Sequence, residues 1–359
     1  MQNILVTGGA GFIGSNFIRH ILKGDPAQTV VNLDALTYAG SKENLRELPR
    51  PGAHTFVQGD ICDGALVLEL LRQFRIDTIV HFAAETHVDR SIVDPRPFVR
   101  TNVIGTFNLL EAARQFWIEE KALPLDKVRF HHVSTDEVYG SLGPDDPPFS
   151  ETTPYAPNSP YAATKAASDH LVRSYAHTYG LPVTISNCSN NYGPWQFPEK
   201  LIPLMITNAN AGKRLPLYGD GQQVRDWLFV TDHCEAIRQI IVRGKPGETY
   251  HVGGGTQPTN LTVVETLCDM LDELAPKPTE HRQLIEYVAD RPGHDRRYAM
   301  DIHKIQRELG WSPRYDIKEG LLHTVKWYLN NADWCAAIQR GDAYQTWMQK
   351  NYQDREKRT

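Results

Sequence analysis

Two short segments of this chain carry residue types that do chemistry together. Ser134-Thr135-Asp136-Glu137-Val138-Tyr139-Gly140 sets two carboxyl groups side by side, and Tyr161-x-x-x-Lys165 sets a phenol four residues before an ammonium. Residues i and i+4 of a helix share a face, so Tyr161 and Lys165 would be neighbours. An ammonium near a phenol favours the phenolate and lowers its pKa. Such a phenolate can take the proton of a sugar hydroxyl as hydride leaves the same carbon, and Thr135 could hydrogen-bond that hydroxyl. Taken alone, Tyr-x-x-x-K reads more simply as a solvated helix face. Asp136 and Glu137 add what hydride transfer by itself does not need: one carboxylate as base and one carboxylic acid as donor, as a loss of water requires. The groups together imply an oxidation coupled to dehydration.

Hydride chemistry needs a nicotinamide, and the N-terminal segment reads as its holder. Residues 3–7 form a short apolar run of buried-strand length. Gly8, Gly11 and Gly14 follow at G-x-x-G-x-x-G spacing, a variant of the dinucleotide fingerprint, and a helical pattern covers 12–23. Gly8 would allow the tight turn, Gly11 would let backbone approach a pyrophosphate, and Gly14 would let the helix pack close to its strand. The pyrophosphate would rest on the helix N-terminus, where free N–H groups and the dipole favour an anion. A second run, 29–33, ends at Asp34, 20 residues past Gly14, the distance at which an acid reaches ribose hydroxyls. A carboxylate there repels a 2′-phosphate, so NAD is expected rather than NADP. A glycine-rich surface turn is the plainer alternative. Strand, glycines, helix, strand and acid in that order argue against it.

The first half alternates strands with helices. Residues 54–59, 77–81 and 127–134 are further strand-like runs, while 64–74, 97–117 and 161–179 show helical spacing. This order predicts an α/β fold with a Rossmann-type, doubly wound parallel sheet and ligands at the carboxyl ends of its strands. Asp60-Ile61, Phe82-Ala83-Ala84 and Ser134-Thr135 fall at such ends and should meet in one crevice. Asp60 is expected at the adenine, and Ala83 and Ala84 are small enough for the cofactor to lie against backbone. Residues 141–160 hold six prolines and read as a loop, either a lid or, in preference, a surface excursion. After 183–186 strands become sparse. Asn190 and Asn191 offer amides, Arg225 and Arg291 offer planar forks for a diphosphate, and Tyr218 or Tyr287 offers a face for a base. Each Arg taken singly is as readily a surface charge. The division expected is a NAD-binding Rossmann domain over 1–188 that includes the Tyr161 helix, a smaller C-terminal substrate-binding region over 189–330 for a nucleotide sugar, and an extension over 331–359.

Composition excludes several classes. With 359 residues, 41% hydrophobic and 23% charged, the chain is an ordinary globular protein. A formal net charge of −5 shows no basic face for nucleic acid or membrane. Five scattered cysteines without a C-x-x-C argue against a disulfide framework or a zinc site, and the 14 histidines show no H-E-x-x-H spacing, so no metal is expected. The first apolar run leads straight into the glycine loop, so no signal peptide is expected, nor any membrane span, and a reduced cytoplasmic setting follows.

With these motifs the chain resembles the extended short-chain dehydrogenase/reductase family and, within it, the dTDP-glucose 4,6-dehydratase family. The resemblance runs from the glycine loop to about residue 325. Its most specific segments are Thr135-Asp136-Glu137, Asn190-Asn191-Tyr192-Gly193-Pro194, Pro198-Glu199-Lys200-Leu201-Ile202-Pro203, Arg225-Asp226-Trp227 and Asp290-Arg291-Pro292-Gly293-His294. It implies a catalytic set of Thr135, Asp136, Glu137, Tyr161 and Lys165, with Tyr161 the redox base, Asp136 the acid at the C6 hydroxyl and Glu137 the base at C5. It implies NAD held by Gly8, Gly11, Phe12, Ile13, Gly14, Asp34, Asp60, Ile61, Phe82, Ala83, Ala84, Thr101, Tyr161, Lys165 and Asn191. It implies dTDP-glucose held by Thr86, Thr135, Asn190, Lys200, Leu201, Pro216, Tyr218, Arg225, Asn260, Arg291 and His294, and a homodimer. Related epimerases carry small residues at 136 and 137, and related GDP-mannose dehydratases and glucuronate decarboxylases show Ser at 136, so the Asp-Glu pair discriminates. A 4-epimerase or decarboxylase of the same fold is the alternative enzyme. A non-catalytic NAD-binding protein is the alternative class, and it would not need Tyr161, Lys165, Asp136 and Glu137 together. The stretch with Trp334, Trp347 and Arg355 to Arg358 does not match the family pattern and reads as a surface helix.

Overall fold

The computed structural model describes residues 1–290, 293–341 and 344–346. Arg291, Trp347 and Arg355 to Arg358 lie outside the described residues. The short apolar runs of the first half form β1 (Asn3–Thr7), β2 (Thr29–Asp34), β3 (His54–Gln58), β4 (Thr78–His81), β5 (Arg129–Thr135) and β6 (Val183–Cys188). Further on come β7 (Asn190–Tyr192), β8 (Leu215–Tyr218), β9 (Trp227–Phe229), β10 (Thr249–Val252) and β11 (Ile285–Val288). The main sheet has seven strands in the order β10-β6-β5-β4-β1-β2-β3, and every pairing in it is parallel. Chain order runs one way from β1 to β3 and the other way from β4, so the crevice opens between β1 and β4 at the carboxyl edge. Register aligns Thr7 with His81 and Thr135 with Cys188 along that edge.

Helices cover both faces. On one side Leu70 and Leu71, Leu109 to Trp117 and Val172 pack on strand residues such as Leu5, Ile79 and Phe130. On the other, Phe17, Ile18 and Ile21 meet Val230, Cys234 and Ile237 over Ile4, Val6 and Val80. Local chemistry sets the helix ends. Asp63 accepts from Leu66 N at 3.0 Å to start Gly64–Gln73. Pro160–Tyr179 starts at Ser159, which accepts from Ala162 N, with proline in its first turn, and ends at Gly180 in the left-handed region. The helical run expected over 97–117 covers 96–119 and includes π-wound turns at Val99–Gly105 and Arg114–Glu119.

Two features differ from the sequence reading and a third extends it. The sheet does not stop at β6: β10 pairs with it, and Val230–Arg243 covers the same face as Phe12–Lys23, so residues beyond 188 share in the Rossmann layer. The proline-rich loop runs over the surface, as expected, but it is tied down there. Phe149 N donates to Ala299 O at 2.9 Å, Leu142 N donates to Arg297 O at 3.0 Å, and Leu142 and Phe149 are buried. The extension is not a plain surface helix. Trp334, on Ala332–Gln339, is 2% exposed, packs against Trp195, Trp327 and Tyr328, and donates its indole N–H to Asn44 Oδ1 at 3.0 Å. Its apolar bulk outweighed the charge that surrounds it in the sequence.

Candidate active site

The strand that carries Thr135 turns at once into a 3-10 turn, Asp136–Tyr139, where the Thr135 hydroxyl accepts from Glu137 N at 3.3 Å. Both carboxyl groups are thus delivered at the carboxyl edge of the sheet by chain geometry alone. The capped start of Pro160–Tyr179 brings Tyr161 and Lys165 to the same place, and Tyr161 N is tied to Ser91 Oγ at 3.2 Å. These side chains and the glycine turn line one cavity of about 420 Å³. Every residue expected at the cofactor, from Gly8 to Asn191, lines it, as do Thr135, Asp136 and Glu137.

The glycine turn is closed to larger residues. Gly8 has φ +72°, and a Cβ there would fall 2.7 Å from Ala83 N. A Cβ on Gly14 would fall 2.4 Å from Gly8 O, which keeps the helix start hard against the turn. Asp34 Oδ2 accepts from Ala10 N and Oδ1 from Leu36 N, each at 2.8 Å, so its carboxylate is aimed before any ligand arrives. Asp60 pairs with Arg100 at 2.8 Å.

Electrostatics separate two buried acids, Asp136 and Asp226, from ordinary carboxylates. Asp136 is 2% exposed, and its Oδ2 has no hydrogen-bond partner. Burial first, then Glu137 and Asp226, push its carboxyl well above the usual range, against the pull of Arg225 and Thr135. The direction favours the neutral acid over the carboxylate. Thr135 Oγ1 donates to its other oxygen at 3.2 Å. Asp226, buried beside it, is pushed up to about 6 by burial and restrained by backbone amides, among them Gly254 N at 2.8 Å.

Tyr161 departs from expectation. Its phenol lies well above its ordinary value, chiefly because it is buried and then because Glu137, Cys188 and Asp136 surround it; a hydrogen bond with Thr135 pulls the other way. Lys165 does not offset this, because its ammonium donates to Val133 O at 2.9 Å and sits 3.4 Å from His132 Nε2. The sequence argument counted the one cation on the helix and not the carboxyls that the fold gathers around the phenol.

A second pocket of about 190 Å³ adjoins the first and shares Thr86, Glu137, Asn190, Glu199 and Lys200 with it. Leu201, Pro216, Tyr218, Arg225, Asn260 and His294 line it as well, so every described residue expected at the sugar nucleotide other than Thr135 is here; Arg291 lies outside the described residues. Buried polar atoms without hydrogen-bond partners point to a polar ligand: Asn190 Oδ1, Asn260 Oδ1 and the indole N–H of Trp227. Arg225 is not a bare surface charge. Its guanidinium donates to Val224 O at 2.8 Å and to Asp295 O at 2.8 Å, and stacks 4.4 Å from the centre of the Tyr298 ring. Tyr287, the other candidate for a base, is 58% exposed and lines neither pocket.

Sequence reasoning missed Glu85, Arg100 and Cys188 in the first pocket and Asp89 in the second, for which no local signal existed. It also passed over Glu199 and Trp227, although both stood inside quoted motifs. Glu199 lines both pockets, and Arg90 reaches its carboxylate at 3.3 Å. No group of three His, Cys, Asp or Glu side chains that could hold a metal occurs among the described residues.

Comparison with known proteins agrees with this geometry. Residues 5–324 match the family model described as GDP-mannose 4,6 dehydratase. A dTDP-glucose 4,6-dehydratase of Salmonella typhimurium is 54% identical, over 99% of this chain and all of that one. A crystal structure of dTDP-glucose 4,6-dehydratase from Bacillus anthracis, solved in complex with NAD, matches 94% of this chain and 100% of its own with a TM-score of 0.83 at 46% identity. A UDP-glucose 4-epimerase of Thermotoga maritima, solved with UDP-glucose, reaches a TM-score of 0.81 at 28% identity, covering 92% of this chain and 100% of its own. Backbone similarity scarcely separates dehydratase from epimerase, whereas sequence identity does. The chain belongs to the nucleotide-sugar 4,6-dehydratase family of the extended short-chain dehydrogenases/reductases, among the dTDP-glucose 4,6-dehydratases.

Proposed function

We propose that the chain catalyses the NAD-dependent dehydration of dTDP-glucose to dTDP-4-keto-6-deoxyglucose, with Tyr161, Asp136 and Glu137 dividing the proton transfers. The observation that carries this reading is a buried Asp136, its carboxyl pushed well above the usual range, next to Glu137 and beside Tyr161 at one cavity. The dinucleotide fits the residues present: a turn that excludes a Cβ at Gly8, a helix N-terminus whose first amides lack intrahelical partners, and an Asp34 carboxylate aimed by two amides. When bound, NAD supplies the acceptor for the C4 hydride and the source of the hydride returned to C6. The chain does the rest. Tyr161, as the phenolate that the positive charge of bound NAD would favour against its burial, takes the C4 hydroxyl proton, with Thr135 beside it. The ketone at C4 acidifies C5–H, and Glu137 removes that proton. Asp136, already neutral, protonates the C6 hydroxyl as water leaves. Glu137 exchanges its proton with solvent and then returns one to C5, while Tyr161 gives up the proton it gained and Asp136 takes one back, which closes the cycle. A carboxyl kept protonated by burial and a neighbouring carboxylate is the arrangement that lets two adjacent acids do opposite work.

Isotopes test this cycle. Substrate deuterated at C4 should yield product deuterated at C6, and in heavy water the product should gain one solvent deuterium at C5. Deuterium that remains at C4, with no mass loss of one water, would move the chain to the epimerase class.

The same reading includes a homodimer. Ile92, Val93, Val99, Ile104 and Phe107 are large apolar side chains left exposed on two successive helical segments, as a surface meant for a second copy would be. It also places the enzyme in the reducing cytoplasm, supported by five cysteines that are all free. Asp34 favours NAD over NADP, which a calorimetric titration with both dinucleotides measures directly.

A further inference from the structure

We propose that Asp169 is a positioning residue for this reaction: it fixes Lys165 as a buried ammonium beneath the cavity, with His132 wedged between the two. This rests on the dehydratase reading above. Tyr161, Lys165 and Asp169 follow at four-residue steps on one helix face, and only the first two belong to the catalytic set that the family resemblance implies. His132 and Asp169 are fully buried, and Lys165 is nearly so. Lys165 Nζ reaches His132 Nε2 at 3.4 Å, and that same nitrogen lies 3.2 Å from Asp169 Oδ1. The other Asp169 oxygen accepts from Ser134 Oγ at 2.9 Å, Tyr155 OH at 2.7 Å and Asn187 Nδ2 at 3.2 Å. Asn187 also donates to Thr135 O at 3.1 Å, so the carboxylate is wired to the strand that carries the catalytic turn.

A cation taken this far from water needs a counter-charge. The groups that face Lys165 are His81 on β4, His132 on β5, Cys188 on β6, and Tyr161 and Asp169 on its own helix. Burial keeps His81 and His132 neutral and keeps the Cys188 thiol and the Tyr161 phenol protonated. Asp169 alone bears the opposite charge. Burial pushes its carboxyl up, but His132, Lys165 and Tyr155 more than offset this and leave it below its ordinary value. Burial lowers Lys165, and Asp169 opposes that.

The test follows the amine itself. Protein labelled with ¹³C at lysine Cε is titrated by NMR, with the Lys165 resonance assigned by its loss in Lys165→Met. In Asp169→Asn the Lys165 midpoint should fall by about one pH unit or more. The rate of C4 oxidation should fall roughly tenfold, and its alkaline limb should move the same way. In a Lys165→Met background, Asp169→Asn should cost nothing further. Should Asp169→Asn fail to fold, Asp169→Ser removes the same charge, keeps a hydroxyl for its neighbours, and should lower the midpoint likewise. An unmoved midpoint, or losses that simply add, overturns the proposal. If the unaltered protein oxidises no nucleotide sugar, the dehydratase reading fails instead, while the lysine titration still reports on Asp169.

Discussion

The cofactor-side cavity and the pocket beside it are built in opposite ways. The first is lined largely by the strand ends of one sheet, with the runs around 8–14, 82–86 and 134–137 joined by Tyr161 and Lys165 from one helix and by residues between 188 and 200. The second draws single residues from 86–89, 190, 199–205, 216–218, 225–227, 260 and 294. Small pairings such as β7 with β9 and β8 with β11 hold these together, with cross-ties such as Asn260 N to Gln223 O at 2.9 Å. Residues that do chemistry are placed by their covalent neighbours, and residues that recognise are placed by tertiary contact. The first group should therefore govern turnover and the second affinity.

The largest effects should appear among the reacting groups of the first cavity. Tyr161→Phe should block oxidation, so no reduced dinucleotide absorbance develops. Asp136→Asn and Glu137→Gln should let that absorbance develop and slow water loss on the order of 10²–10⁴-fold, the usual cost of losing a positioned acid or base. Near-normal product formation by either carboxyl variant, measured by mass, would erase the distinction between this site and an epimerase.

Trp334→Ala should cost about 3–5 kcal/mol in denaturant unfolding, the range for an emptied buried aromatic. Trp334 lines neither pocket, so KM for both ligands should hold. A shifted KM with unchanged stability would mean that the extension serves the site directly.

Asp136→Asn carries a second, opposite signature. The folded carboxyl titrates above its unfolded value of 3.8, so its contribution to stability is present below that pH and declines as pH rises toward the folded pKa. Asparagine does not titrate. The stability of Asp136→Asn relative to the original chain should therefore grow above about pH 4, by up to about 1.4 kcal/mol per pH unit. Melting curves at several pH values measure this, and a flat difference would mean that Asp136 is ionised in the folded state.

Gly8→Ala should destabilise by roughly 1–2 kcal/mol from its left-handed φ alone, with NAD affinity lost to the clash at Ala83. Asn260→Ala should be the mildest change. Losing one hydrogen bond of about 1 kcal/mol should raise KM for the nucleotide sugar about fivefold and leave kcat alone. A kcat effect at Asn260 would break the separation of turnover from affinity.

The amino-acid sequence by itself determined the parallel sheet, the glycine turn, the capped helix of Tyr161 and Lys165, and the adjacency of Asp136 and Glu137. Each is a local matter: strand-length apolar runs, a residue that must accept positive φ, a serine before a proline, neighbours on one short turn. Tertiary structure alone decided the rest. β10 joins the sheet from far along the chain because β6 leaves an open edge that a short apolar run can pair. Trp334 is buried because Trp195 and Trp327, distant in sequence, form its socket. Tyr161 is held as the phenol, against the sequence argument, because protonation follows the summed field of every charge and the dielectric around it. Burial comes first and Glu137 second, and no spacing along the helix could reveal either.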